Sequence, residues 1–171
     1  QSKKIASLID QILELSRLES GRNLTLKRVS LSSILQNLAR DYEKLAELKG
    51  IKFSCDIAPS VEILGDELMI SRLADNFLSN ALKFTASKIE LSLAASKMHA
   101  LLSVKDDGAG ISQKDGELIW NKFYQAEGSR NKSLNVGSGL GLAIAANIAK
   151  IHGAKLGVKS SEIDGAGSEF W

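Results

Sequence analysis

Apolar side chains recur along residues 2–20 at spacings of three and four: Ile5, Leu8, Ile12 and Leu15, widened by Ile9 and Leu13. That period is helical, and Gly21 closes it. A lone amphipathic helix gains little in water, so this stripe needs a partner, either its own domain or a second subunit. The polar break at residues 21–23 favours half of an intermolecular bundle. Residues 24–28 alternate like a short strand, and Ser30 is placed to cap a helix over 31–48 with Ile34, Leu35, Leu38, Leu45 and Leu48 inward. Gly50 ends that helix, strands are predicted at 51–57 and 61–64 around a turn at Pro59, and Gly65 with Asp66 opens a helix over 67–84. Strands near 88–94 and 98–105, a long glycine-punctuated loop, a helix over 140–151 and strands near 154–160 and 168–171 complete the pattern. Helices and strands mix without strict βαβ alternation. The expected class is therefore α+β: a two-layer α/β sandwich with helices over a mixed, mostly antiparallel sheet, preceded by one amphipathic helix.

Composition narrows the picture only slightly. With 171 residues there is room for one sizeable core and an appendage. The 22 basic and 20 acidic side chains nearly cancel, giving no reason to expect a nucleic acid partner. No apolar run approaches a membrane span and there is no signal peptide, so no membrane contact is expected within this stretch and the setting reads as cytoplasmic. Cys55 stands alone in a strand-like segment, which predicts an inert buried thiol rather than a disulfide. The chain starts inside a helical pattern and reads as a piece of something longer.

Candidate chemistry gathers in separate stretches. On the helix reading DNFLSNALKFT, Asn76, Asn80 and Lys83 lie at i, i+4 and i+7 and share one face, beside an apolar stripe of Leu73, Phe77, Ala81 and Phe84. The face is either simply solvated or a site, since amide oxygens suit a magnesium ion that bridges phosphates and lysine suits the phosphates themselves. In VKDDGAGI, period two continues the apolar face of Met98, Ala100, Leu102 and Val104 onto Asp106. A carboxylate there needs donors. It is either a turn or cap residue or an acceptor for the exocyclic amine of adenine, which would select ATP over GTP because guanine carries a carbonyl at that place. Gly108 and Gly110 then let the backbone turn away without covering a flat base.

About two dozen residues separate Ile111 from the next glycine cluster, with an apolar knot of Ile119, Trp120, Phe123 and Tyr124 flanked by Lys122, Arg130 and Lys132. A loop of that length is usually functional or mobile, so it reads as a lid with cations near phosphates or as a plain surface loop. It ends at VGSGLGL, where Gly137, Gly139 and Gly141 run into an apolar helical pattern. Backbone without Cβ atoms can approach a phosphate closely, and the following helix aims unpaired N–H groups at it.

In this order the stretches resemble the catalytic and ATP-binding region of sensor histidine kinases of two-component systems, in the wider group with DNA gyrase, MutL and heat-shock chaperone ATPases. The asparagine box is 76–85, the glycine boxes are 106–111, 137–142 and 165–170, and the aromatic box is Phe123 with Tyr124. The resemblance implies two parts: residues 1–22, the end of the dimerisation and phosphotransfer hairpin, and residues 23–171, the catalytic ATP-binding domain. It implies Mg2+ on Asn80 with Asn76 beside it, phosphates on Lys83, and the adenine amine on Asp106 with water shared with Ser168. Phe84, Ile111, Tyr124 and Leu140 would wall the base, and Ser138, Gly139 and Leu140, within the turn from Gly137 to Leu142, would bring backbone groups to the phosphates. ATP and ADP, a response-regulator receiver domain and, in the full-length protein, a second copy forming a homodimer are the implied partners.

Two departures from the family pattern stand out. Gln125 occupies a place where arginine is frequent, so that phosphate contact passes to Arg130 or Lys132 or is absent. Neither His99 nor His152 has the setting of the accepting histidine, so this chain is expected to bind nucleotide without phosphorylating itself. Three rivals stay in view: an ATPase of the gyrase or chaperone kind, a protein-serine kinase of the same fold, and a non-catalytic dimeric scaffold. The first needs a carboxylate base to activate water, and Asn76 offers an amide there.

Overall fold

A computed structural model describes residues 2–19, 26–126, 137–160 and 167–171. Helix α1 (Ser2–Glu19) precedes strand β1 (Lys27–Ser30), helix α2 (Leu31–Leu48), strands β2 (Lys52–Ile57) and β3 (Glu62–Gly65), and helix α3 (Glu67–Phe84). Strands β4 (Lys88–Ala95) and β5 (Ala100–Asp106), helices α4 (Gln113–Leu118) and α5 (Gly141–Ile151), and strands β6 (Val158–Ser160) and β7 (Ser168–Phe170) follow. The predicted α+β class holds: among the described residues the main sheet runs β2-β4-β5-β7-β6, with β2 and β4 parallel and every other pair antiparallel. A separate antiparallel pair, β1 with β3, sits over the start of α2.

Local chemistry sets the two long helices as expected. Ser30 accepts from the Ser33 amide and Asp66 from the Met69 amide, each supplying an acceptor to the otherwise unpaired first turn. Between the helices and the sheet lies the main core, with Phe77, Leu78 and Ala81 of α3 against Ile89, Leu91, Val104 and Phe170. Phe77 stacks on Phe170 at 5.6 Å and meets Trp120 edge-on at 6.4 Å.

Several details differ from the expectations. On α2 the buried line is Leu31, Leu35, Ala39, Tyr42 and Ala46, while Leu45 and Leu48 are exposed. The helical period puts Leu45 about 100° and Leu48 about 160° around the helix from Ala46, so apolar character alone misplaced them. Tyr42 is held inside by its hydroxyl, which donates to Asp75 at 2.7 Å, and burial together with that carboxylate keeps the phenol protonated well above its ordinary range. Cys55 is exposed, not buried: among the described residues β2 is an edge strand of the main sheet, paired on one side only, with β4. Strand β1 begins at Lys27, and residues 20–25, including the helix stop at Gly21 and the expected boundary at 22, lie outside the described residues.

Helix α1 has two apolar faces. Leu15 and Leu18 pack with Leu140, just before α5, and with Ile144 and Ile148 on it, Glu14 pairs with Arg72 at 3.2 Å, and Gln11 accepts from the Ser138 hydroxyl at 2.5 Å. The stripe thus meets its own domain, a contact that the favoured bundle reading did not require. Ile5, Ile9, Ile12 and Leu13 remain exposed on the other side.

His152 joins the far ends of the two site helices. Its Nδ1 lies 2.8 Å from the Ile148 carbonyl and its Nε2 accepts the Asp66 amide at 3.0 Å, so α5 ends where α3 begins. Replacing it with alanine leaves one backbone donor without its partner in a half-buried setting, and an expected loss of ~1–3 kcal/mol follows. Urea denaturation checks this, and an unchanged midpoint would refute the assigned role.

Candidate nucleotide site

Helix α3 presents the polar face that its sequence spacing forecast. Asn76 and Asn80 are partly buried and Lys83 is exposed, with its ammonium 4.9 Å from the centre of the Phe84 ring. Helix α5 runs against α3 and begins beside that face: a Cβ on Gly141 would stand 3.0 Å from Asn76 Oδ1, and one on Gly137 would stand 2.8 Å from Lys83 Nζ. Asn76 Nδ2 is buried without a hydrogen-bond partner, the one such side-chain atom among the described residues. Leu140, the residue before α5, supplies no side-chain cap. The first amides of α5 therefore point out of the helix with their positive end toward the amide and ammonium groups of α3, a setting for an anion.

The turn leading into α5 is tied on both sides. Gly139 has φ +71°, and a Cβ there would lie 2.8 Å from Phe123 and Tyr124 backbone atoms, while the Phe123 amide donates to its carbonyl at 3.0 Å. Gln125 donates from Nε2 to the Gly137 carbonyl at 2.7 Å. The residue that departs from the family pattern thus fastens the start of the loop to the glycine turn. Arg130, Lys132 and Val136 lie outside the described residues, as do Gly165 and Ala166 of the last glycine box. Ser138 accepts from the Leu140 amide and donates to Gln11, which connects the turn to α1.

Asp106 closes the third side. It ends β5 at 4% exposure, paired across the sheet with Ser168. Burial raises its carboxyl above the ordinary range, against backbone hydrogen bonds from Gly108 and Ser168 that oppose the shift. The Gly108 amide donates to Oδ1 at 2.8 Å, and a Cβ on Gly108 would overlap the Phe84 carbonyl, so this loop lies directly against the end of α3. Gly110 follows with φ +80°, turning the chain toward Ile111. The other two stretches therefore both adjoin α3, the glycine turn at its Asn76–Lys83 face and the Asp106–Gly108 loop at its last residue.

The expected walls of a base are unequal. Phe84, Ile111 and Tyr124 keep exposed or partly exposed side chains, whereas Leu140 is fully buried in the cluster with Leu15 and Leu18 and its side chain serves helix packing. Tyr124 packs against the core and donates its hydroxyl to Asp115, which with Ser112 forms the N-terminal cap of α4. Phe123 leaves the expected knot: it is 58% exposed with φ +62°, while Ile119 and Trp120 carry the packing. Leu142 is partly buried against the core.

Sequence reasoning missed residues that hold the site from behind. Ser160 accepts the Ile111 amide at 2.5 Å, donates to the Gly167 carbonyl at 2.8 Å and lies 3.1 Å from Ser168 Oγ. Asp107 gathers the hydroxyls and amides of residues 85–88. Its carboxyl sits well below the ordinary range: burial opposes the shift, and the Ser87, Thr85 and Lys88 hydrogen bonds outweigh it. The only sequence signal was a doubled aspartate before glycine.

Comparison with known proteins fits this geometry. Residues 65–171 match the family described as histidine kinase-, DNA gyrase B-, and HSP90-like ATPases. The chain is 32% identical over 174 residues to the sensor histidine kinase RppB of Synechocystis sp., covering 99% of the chain and 38% of RppB. It is 31% identical over 176 residues to the phosphate regulon sensor protein PhoR of Pseudomonas aeruginosa, with coverage of 99% and 38%. Full-length ShkA in complex with AMPPNP aligns with a TM-score of 0.83 at 30% identity, covering 98% of the chain and 35% of ShkA. The Acinetobacter baumannii histidine kinase AdeS, at 19% identity and TM-score 0.75 over 99% of the chain and 77% of AdeS, shares the fold. The chain spans 38% of the length of RppB and of PhoR and 44% of the curated sensor-like histidine kinase SenX3 of Mycolicibacterium smegmatis.

Proposed function

The chain belongs to the histidine kinase-, DNA gyrase B-, and HSP90-like ATPase family, and on that premise we propose that it is the ATP-binding catalytic part of a sensor histidine kinase. Its reaction breaks the bond between the β,γ-bridging oxygen and the γ-phosphorus of ATP, forms a phosphorus–nitrogen bond to a histidine on a helical segment outside this chain, and leaves ADP. Transfer onward to a response-regulator aspartate completes the reading. The kinase names of relatives aligned over nearly the whole chain support it.

The observation that carries the chemistry is the uncapped start of α5 beside Asn76 and Lys83. Phosphoryl transfer asks mainly for positioning and charge stabilisation, and amide groups at a helix start supply both without reorganising. Lys83 adds a cation for the phosphates. Asp106 accepts the adenine amine, which adds a ligand donor to a buried carboxylate otherwise served by backbone amides. Asn80, with Asn76 one turn before it on α3, offers amide oxygens of the kind Mg2+ accepts alongside water and phosphate. When bound, Mg2+ would neutralise phosphate charge. Among the described residues there is no cluster of three His, Cys, Asp or Glu, so a cation here relies on amide and phosphate oxygens.

An ATPase reading is disfavoured by Asn76, which cannot take a proton from water. Pairing with a second copy through α1 is supported by the outward Ile5, Ile9, Ile12 and Leu13. A cytoplasmic location is part of the same proposal, and no helix among the described residues is long and apolar enough to cross a membrane. Calorimetry with Mg-ATP tests binding. Labelled ATP mixed with this chain and a separate helical hairpin bearing the acceptor histidine tests transfer, with label expected on the hairpin and none on His99 or His152. Steady ATP hydrolysis by the chain alone would instead support the ATPase reading, and label on an added protein's serine would support a serine kinase.

A further inference from the structure

We propose that Asp107 is a positioning residue that sets base selectivity, although its side chain does not contribute to the wall of the site. This deepens the ATP-binding reading and rests on it. Asp107 Oδ1 accepts the amides of Ala86, Ser87 and Lys88 at 3.0, 2.8 and 2.9 Å and faces the Thr85 hydroxyl at 2.6 Å. Its Oδ2 accepts the Ser87 hydroxyl at 2.6 Å. All these donors belong to the connection that leaves α3 for β4. One carboxylate therefore ties the end of the helix carrying Lys83 and Phe84 to the end of the strand carrying Asp106.

The placement matters because the two neighbouring carboxylates divide the work. Asp106 is buried with its backbone-bonded oxygen beside Gly108, and Gly108 fits against the Phe84 carbonyl with no room for a Cβ. Asp107, the residue between them, takes four donors on Oδ1 and one on Oδ2, all from residues 85–88. A turn that only needed capping would be satisfied by one or two hydrogen bonds. Here the full set of charge-assisted bonds converges on a single group whose backbone is continuous with the base acceptor. The separation of Asp106 from Phe84, which is the width of the slot for a base, is fixed by this clamp.

Discrimination between adenine and guanine at Asp106 depends on one amine facing one carboxylate, so a displacement of about 1 Å forfeits most of it. With Asp107→Ala, affinity for Mg-ATP is expected to fall about tenfold while that for Mg-GTP changes by less than about twofold, shrinking the ATP preference about tenfold. Asp107→Asn keeps an oxygen for the three amides and should retain the wild-type preference within about threefold. The measurement is calorimetric titration of the purified chain with each nucleotide, well below the thermal midpoint of each variant. An alanine variant with the wild-type ATP to GTP ratio, whatever its stability, would overturn the clamp and leave Asp107 as a turn brace. Should the alanine variant not fold, Ser87→Ala removes the Oδ2 bond alone; a ratio reduced about two- to threefold supports the proposal and an unchanged ratio overturns it. Failure of the wild-type chain to bind ATP would remove the underlying reading, an outcome distinct from wild-type binding with an unaltered variant.

Discussion

Replacing Asp106 with alanine is expected to lower Mg-ATP affinity by at least about 100-fold, the loss of one desolvated charge-assisted hydrogen bond, while the chain stays folded. Burial is what makes the group valuable to a ligand and costly to the free protein. Its carboxyl is shifted upward by burial, against hydrogen bonds from Gly108 and Ser168. A raised carboxyl pKa means that the folded state favours the proton, so the contribution to stability is fully present below the unfolded value of about 3.9 and is lost as pH rises through the folded one. At neutral pH the alanine variant escapes the cost of burying a charge but leaves the Gly108 amide without its acceptor, so the two effects oppose and it should melt close to the wild type. Nucleotide affinity runs the other way. The ionised form is the better acceptor, so ATP binding should weaken on acidification at a higher pH than an ordinary carboxylate would produce, and Asp106→Asn should lack that limb. Calorimetry and thermal melts across pH 4–8 read both halves. An alanine variant that binds ATP normally would remove Asp106 from the site.

That division between a costly group and its ligand was visible in the sequence, because period two in β5 carries a buried face from Leu102 and Val104 onto Asp106. The start of α3 was equally plain: Asp66 followed by an apolar helical run is a strong local signal, and the helix spans Glu67–Phe84 as predicted. Periodicity reports which residues share a face, but not what that face meets. Hence the period of α1 fits a bundle helix, and the structure adds that Leu15 and Leu18 pack on α5. The same limit explains Leu45, Leu48 and Cys55, whose apolar character said inside and which the fold leaves exposed.

What sequence could not supply at the site was the backing. Asp107 looks like a turn residue, and only the fold brings residues 85–88 onto it. Ser160 lies 49 residues from the Ile111 amide that it accepts. Gln125 looked like a lost cation, and the structure gives it a bond to the Gly137 carbonyl. These are long-range contacts made by side chains common in any loop, so their types carry no local signature.

Phe77→Ala is expected to cost about 3–5 kcal/mol, the usual range for emptying a buried aromatic position. Phe77 is fully buried, and its ring lies between Phe170 of β7 and Trp120 of the segment leading toward the lid, with Trp120 and Phe170 themselves in contact at 6.2 Å. Three elements distant in sequence lose a shared neighbour, and partial collapse cannot refill a ring-sized void. Against a total stability of about 5–15 kcal/mol, the variant should sit near its threshold at body temperature. Phe77 points inward from the helix that bears Asn76 and Asn80, so the loss is in folding and not in chemistry. Ligand linkage separates the two. Saturating Mg-ATP stabilises any chain with an intact site by RT ln(1 + [L]/Kd), so it should raise the unfolding free energy of Phe77→Ala by the same increment as the wild type. Urea titrations with and without nucleotide, followed by Trp120 and Trp171 fluorescence, give both quantities. A cost below about 1 kcal/mol would show that the aromatic trio is not the centre of the core, and a smaller ATP increment would show that the site depends on core packing more tightly than the separation of faces on α3 implies.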